Sequence, residues 1–120
     1  MSNGPIPAGK LPVDLLTGLL AGLGPMPPEV LVGPAFGEDA CAIDLPAGVL
    51  VAATDPLTLI GREVGRLAVI VNANDIAVMG IRPCWFLATV LLPVGTTSDQ
   101  VTDVFAAMRD ALAGVGATLV

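Results

Sequence analysis

Apolar residues occupy most positions of residues 63–79, a stretch without proline that is long enough for about four to five helical turns. The pattern predicts a helix. Because its apolar positions point in nearly every direction, we expect this helix to be largely buried. Asn72, Asn74 and Asp75 interrupt the apolar pattern, and Asn72 precedes Asp75 by three residues on nearly the same helical face. A buried carboxylate needs a partner, so this polar island either bonds a neighbouring loop or solvated interface, or serves a ligand site.

The rest of the pattern predicts shorter elements on both sides of this helix. They are helix 12–23, connector 24–30, strands 40–44 and 49–55, strand 84–93, helix 99–113 and strand 117–120. A tight turn at residues 45–48 makes the first two strands a hairpin, Ser98 can cap the last helix, and Gly114 and Gly116 end it. The order of elements predicts the α/β or α+β class, with one mixed sheet and helices packed on a face.

Composition predicts one domain with an apolar surface. Of the 120 residues, 54% are hydrophobic and 13% charged, and the mean hydropathy is +0.84, so we expect a homodimer to cover exposed apolar area. The longest uncharged run, residues 83–98, is interrupted by Pro93 and Gly95 and is shorter than the roughly 20 residues that cross a membrane. Residues 1–10 lack the pattern of a signal peptide and are expected to be flexible, leaving residues 11–120 as the domain.

Charge and missing residue types exclude several kinds of site. The net charge of −6, from eleven acids and five bases, argues against a nucleic-acid partner. The absence of His and Tyr excludes Ser-His-Asp and Cys-His catalysis within the chain, together with histidine metal sites. Cys41 and Cys84 lack C-x-x-C spacing, so we expect buried free thiols of a cytoplasmic protein.

The candidate functional residues are acids that lie in apolar or glycine-rich stretches of the sequence. They are Glu38, Asp39, Asp55 and Asp75. Pro56 restricts Asp55 to extended geometry and so holds it at a strand end. Carboxylate oxygens suit magnesium, which they can hold against the phosphates of ATP. The alternative is that Asp39 and Asp55 only cap turns.

Three segments in order carry a resemblance to a known family. They are GEDACAI at residues 37–43, TDP at residues 54–56 and NANDIAVMGIRPCWFLATVLLP at residues 72–93. They resemble the family motifs G-D-D-A-A, T-D and N-D-x-A-x-M-G-A-x-P. These belong to the N-terminal domain shared by aminoimidazole ribonucleotide synthetase, the hydrogenase-maturation dehydratase, thiamine-monophosphate kinase and selenophosphate synthetase. The resemblance covers residues 10–120. The G-K-L-P segment at Lys10 and the T-D-P form are most similar to the hydrogenase-maturation branch.

The resemblance implies a fold and a set of ligands. The implied fold is α+β, an α/β sandwich whose mixed four-stranded sheet, with helices packed on one face, forms half of a dimeric β-barrel. Asp39, Asp55 and Asp75 would bind Mg²⁺ and ATP. Glu38, which replaces the first Asp of the motif, and Asn74 would support them.

The implied function is that of a magnesium-ATP-binding and dimerisation domain. It would belong to an ATP-dependent synthetase or maturation enzyme that activates an oxygen atom of a small-molecule or protein substrate by phosphorylation. The family continues into a Gly-Gly-Asp/His-Thr motif and a second domain, which the sequence does not reach, so we expect this chain to be inactive alone. No reactive cysteine of the selenophosphate synthetase kind lies in the N-terminal segment. The alternative is a non-catalytic dimerisation module whose acids are structural.

Overall fold

The computed structural model describes residues 4–58 and 61–120. This part of the chain forms three helices and five strands. They are α1 (Val13–Ala21), β1 (Val30–Val32), β2 (Cys41–Leu45), β3 (Gly48–Ala52), α2 (Glu63–Ala77), β4 (Trp85–Phe86), α3 (Ser98–Val115) and β5 (Thr118–Leu119). The fold is therefore α+β, as the resemblance implies, and each of the three predicted helices forms at its expected place.

Helices α2 and α3 lie side by side and enclose the largest apolar cluster of the described residues. Val69 of α2 is fully buried against Met108 and Leu112 of α3. Phe86 of β4 and Ala117, next to β5, pack against the same cluster. Helix α3 connects β4 to β5, and these two strands pair in parallel, so this part of the protein is a βαβ unit with α2 beside its helix.

The strands form two sheets within the described ranges rather than the predicted single sheet of four. Strands β1, β2 and β3 form an antiparallel sheet, in which β2 and β3 are the predicted hairpin with a loop at residues 46–47. The predicted strand 84–93 pairs with β5 only at Trp85 and Phe86. An apolar run indicates which residues tend to avoid water, but it does not indicate which strand they pair with. Residues 87–92 pair with no strand within this part of the chain.

Both ends of α3 differ by a residue or more from the sequence prediction. Thr97, not Ser98, is the N-cap: its hydroxyl accepts from the backbone nitrogen of Gln100 at 3.3 Å. The Gln100 side chain in turn accepts from the backbone nitrogen of Thr97 at 2.9 Å, which completes a capping box. The helix continues through Gly114 and ends at Gly116.

The expectation that the central helix is largely buried is wrong for the chain alone. Only Gly65 and Val69 are buried on α2, because α3 covers one side of it and the other side remains open. The described chain is a flat body of 47 × 46 × 19 Å. Its radius of gyration of 17.3 Å exceeds the roughly 13–14 Å of a compact domain of this length. Much apolar surface is consequently exposed.

The two cysteines are free thiols, as predicted, but they are not buried. Cys41 is half-buried and Cys84 is exposed. Cys84 directly precedes β4, and its thiol donates a hydrogen bond of 3.5 Å to the carbonyl oxygen of Arg82. The apolar setting of Cys84 in the sequence therefore reflects exposed apolar surface rather than core.

The N-terminal part contributes little to the helical core. Residues 1–3 of the segment predicted to be flexible lie outside the described residues, and residues 4–10 are exposed and form neither helix nor strand. The connector after α1 ends at Val30, which already belongs to β1. Across residues 4–58 and 61–120, no helix combines the length and apolar character that a membrane crossing requires.

Candidate functional site

Three aspartates from separate segments interact electrostatically beside α2. The pKa of Asp75 lies above its ordinary value, first because burial disfavours its charged form. The negative charges of Asp55 and Asp39 raise the pKa of Asp75 further, and so does a side-chain hydrogen bond with Asp55. The side chains of Asp55 and Asp75 are thus within hydrogen-bonding reach of each other. The fold brings together three of the four acids that the sequence singled out.

Asp55 reaches this position from the chain that follows β3. The strand ends at Ala52, and Asp55 is half-buried three residues later. Pro56 keeps Asp55 out of helical geometry. The side-chain nitrogen Nδ2 of Asn72 donates a hydrogen bond of 2.9 Å to the backbone carbonyl of Asp55. This bond ties the segment after β3 to α2, and Asp75 lies less than one helical turn beyond Asn72.

A turn before β2 positions the first acids. The backbone nitrogen of Glu38 donates to the carbonyl oxygen of Ala35 at 3.2 Å, and Gly37, in the third position of this turn, has a φ of 88°. That φ favours glycine at this position of a turn. Glu38 and Asp39 follow it directly and are both exposed. The charge of Asp39 reaches Asp75, whereas Glu38 has no described interaction with the other acids.

The two asparagines of α2 lie in different surroundings, and their roles differ from those that the sequence suggested. Asn74, the predicted supporting residue beside Asp75, is exposed on the helix surface. Asn72, which the sequence placed in the polar island that either bonds a neighbouring loop or serves a ligand site, is half-buried and bonds the chain segment at Asp55. The signal for Asn72 was its spacing of three residues from Asp75, which places both side chains on one face.

The chemistry of these donors fits magnesium bound together with phosphate. All of the candidate side chains offer oxygen, the ligand that magnesium prefers. Nevertheless, within the part of the chain that the structure describes, no group of three or more His, Cys, Asp or Glu side chains is arranged to hold a metal ion. Magnesium commonly takes one or two carboxylates and completes its shell with phosphates and water. The Asp55–Asp75 pair suits that arrangement better than an all-protein cage.

Two surface cavities lie apart from the acids. The larger, of about 630 Å³, is a mainly apolar groove on α3 and β5 that includes Val101, Phe105 and Leu119. The smaller, of about 410 Å³, is lined by charged residues such as Arg62 and Asp110. None of the three aspartates lines either cavity.

The fold and the site define a class: an α+β chain in which aspartates from both ends of a β-hairpin lie near an aspartate of a helix. Residues 37–120 match the family described as AIR synthase related protein, N-terminal domain, and the chain belongs to this family. The match begins at Gly37, immediately before Glu38 and Asp39, and contains all three aspartates. The resemblance read from the three sequence segments is confirmed over this range.

Two curated proteins are similar to this chain. The chain is 37% identical over 84 residues to a hydrogenase expression/formation protein HupE of Azotobacter chroococcum mcd 1, covering 62% of this chain and 25% of the relative. It is 36% identical over 83 residues to the carbamoyl dehydratase HypE of Azotobacter vinelandii, covering 62% of this chain and 24% of the relative. The chain thus spans about a quarter of each relative's length. No solved structure matches it.

Proposed function

We propose that this chain is the magnesium-ATP-binding and dimerisation part of an ATP-dependent enzyme of the hydrogenase-maturation kind. The observation that carries the proposal is the convergence of Asp39, Asp55 and Asp75 beside α2, inside the range that matches the family. The names of the two relatives, a hydrogenase formation protein and a carbamoyl dehydratase, support this branch of the family. The cytoplasmic location stays a prediction.

Each candidate residue has a proposed role in binding the cation or the nucleotide. Asp55 and Asp75 would bind one cation between them, since their carboxyl groups are already close. Asp39, which is exposed and reaches the pair only through its charge, would join when nucleotide completes the site. Glu38 and Asn74 would contact the nucleotide or water around the cation. Bound magnesium neutralises phosphate charge during phosphoryl transfer.

The proposed reaction of the whole enzyme is the phosphorylation of a substrate oxygen. Phosphorylation turns a poor leaving group into a good one, so the oxygen can then depart or be displaced. The name carbamoyl dehydratase, which belongs to the relative, describes a loss of that kind. Because the chain covers about a quarter of such relatives, we expect it to bind nucleotide weakly and not to turn over alone.

A titration with magnesium-ATP, followed by amide chemical shifts in NMR spectra, tests the proposal. We expect the amides near Asp39, Asp55 and Asp75 to shift together, with a dissociation constant of about 1 mM, or about 4 kcal/mol of binding free energy. The Asp55→Asn variant should abolish these shifts. Asp103→Asn, which removes a charge from the exposed surface of α3, should retain them. Shifts confined to one of the three aspartates, or unchanged shifts with ATP in EDTA, would contradict a shared site.

A second candidate function is a non-catalytic dimerisation module with structural acids. The observation that favours it is the exposed apolar surface around β4, where the exposed fractions are 72% for Trp85 and 89% for Leu91. Under this alternative the chain associates, but magnesium does not affect nucleotide binding. The same titration, performed with and without magnesium, separates the two functions.

A further inference from the structure

The side chain of Asn72 makes two hydrogen bonds that connect two different parts of the chain. Its nitrogen Nδ2 donates to the carbonyl oxygen of Ala68 at 2.8 Å, one turn back on α2. The same nitrogen donates to the carbonyl oxygen of Asp55 at 2.9 Å, across seventeen residues of sequence. Both hydrogens of the amide are therefore engaged. The bond to Ala68 orients the amide so that its second hydrogen points at Asp55.

Among the described residues, few other hydrogen bonds hold the segment that Asn72 contacts. Strand β3 ends at Ala52, so residues 53–58 lie outside the sheet ladders. Pro56 has no backbone N–H with which to bond a neighbouring strand. Within the described residues, the bond from Asn72 is the hydrogen bond found for the carbonyl of Asp55. A side chain of α2 therefore holds this segment in place, as strand pairing holds β3 in place.

We propose that Asn72 is a positioning residue: it fastens the main chain of Asp55 to α2 so that the Asp55 and Asp75 carboxylates face one divalent cation, while Asn72 itself does not touch the cation. This inference rests on the proposed function, because it assumes that the pair binds a cation. It gives a role to a residue that was not among the candidate ligands.

The physical reason for such a residue is the repulsion between the two acids. Two neighbouring carboxylates separate when both are charged unless the chain holds them, and a cation then has to reassemble the site at a cost in affinity. A neutral amide supplies donors without adding charge. An aspartate at position 72 would instead add a third negative charge and remove both donors. Groups that orient metal ligands in this way commonly change metal affinity by about 10- to 100-fold when mutated.

The test is a titration of the 120-residue chain with Mn²⁺ in the absence of nucleotide, in which electron paramagnetic resonance measures the free ion. We expect Asn72→Ala to weaken Mn²⁺ binding by about tenfold. Asn72→Ser should weaken it by a similar factor, because a serine hydroxyl can bond the carbonyl of Ala68 but cannot reach Asp55. Asn72→Gln keeps the amide and should recover part of the affinity. If Asn72→Ala does not fold, Asn72→Ser gives the decisive value.

A matched control separates positioning from general destabilisation. Val104→Ala removes buried methyl groups from α3 without changing a candidate ligand or the backbone oxygen that faces Gly65 of α2, and should lower thermal stability while leaving Mn²⁺ affinity unchanged in the folded protein. Wild-type affinity in both Asn72→Ala and Asn72→Ser would overturn this inference and leave the proposed function standing. Failure of the wild-type chain to bind Mn²⁺ at any of its aspartates would overturn both. An equal loss of affinity in Val104→Ala would also count against positioning.

Discussion

Gly65 of α2 lies directly against the carbonyl oxygen of Val104 on α3. A Cβ atom added at Gly65 would collide with that oxygen and would come within 3.1 Å of the backbone nitrogen of Met108. Both atoms belong to the backbone of a helix, which cannot move aside as the end of a flexible side chain can. The close approach of the two helices therefore requires glycine here, and it sets the position of α2, the helix that carries Asp75.

The first prediction concerns this contact. Gly65→Ala should lower the free energy of unfolding by about 1–3 kcal/mol, because the added methyl group forces the two helices apart. Gly114→Ala is the matched control: it lies inside α3, and an added Cβ meets nothing within 4 Å. This second change should raise the free energy of unfolding by up to about 1 kcal/mol. Urea unfolding of both variants checks the prediction, and equal stability of the two would contradict the close approach.

The second prediction follows from the raised pKa of Asp75. The folded protein holds the Asp75 proton more tightly than the unfolded chain, so the contribution of Asp75 to stability is fully present below the ordinary aspartate pKa of about 3.9. As the pH rises from there through the raised pKa, the unfolded state releases its proton first and stability falls. Asp75→Asn removes this loss. We therefore expect the variant to gain stability relative to wild type between pH 4 and pH 7.

Thermal melts across that range measure the difference. Asp103→Asn removes an exposed charge on α3 and should follow the wild-type pH dependence. Added magnesium should stabilise the wild type at pH 7 but not Asp75→Asn, since only the wild type retains the carboxylate pair. A stability difference between wild type and Asp75→Asn that stays constant with pH would show that Asp75 has no raised pKa in solution.

The sequence predicted local features of this protein better than its sheets. The helices formed where the sequence placed them, because helix-forming patterns are local, although the N-cap of α3 is Thr97 rather than the predicted Ser98. The prediction that the three aspartates lie near one another came from the resemblance, since no spacing rule relates position 39 to position 75. Residues 84–93 were overpredicted as strand because apolar character does not reveal whether a pairing partner exists in the same chain. The sequence allowed Asn72 to bond a neighbouring loop, but it could not name Asp55 as the partner, because that hydrogen bond spans seventeen residues.

The third prediction ranks the proposed ligands. Without nucleotide, Asp55→Asn and Asp75→Asn should each weaken Mn²⁺ binding by more than tenfold, because each removes half of a close carboxylate pair. Asp39→Asn should have a smaller effect, since Asp39 is exposed and contributes through its charge. Isothermal titration calorimetry with Mn²⁺ measures all three variants. A larger loss in Asp39→Asn than in Asp55→Asn would mean that the cation binds near the turn before β2 instead.

The fourth prediction concerns assembly. The flat shape of the chain and the exposed apolar residues after β4 lead us to expect a homodimer, in which residues 87–92 pair with a strand of a second copy, since they have no strand partner among the described residues. Light scattering at tens of micromolar protein should give twice the chain mass of 12.1 kDa. Leu91→Lys places a charge on a side chain that is 89% exposed in the single chain, so it should favour the monomer without harming the fold. Leu19→Lys makes the same change on α1, where the leucine is 56% exposed, and should leave the dimer intact. A wild-type chain that remains monomeric, or equal dissociation by both lysine variants, would contradict an interface built on the strand after β4.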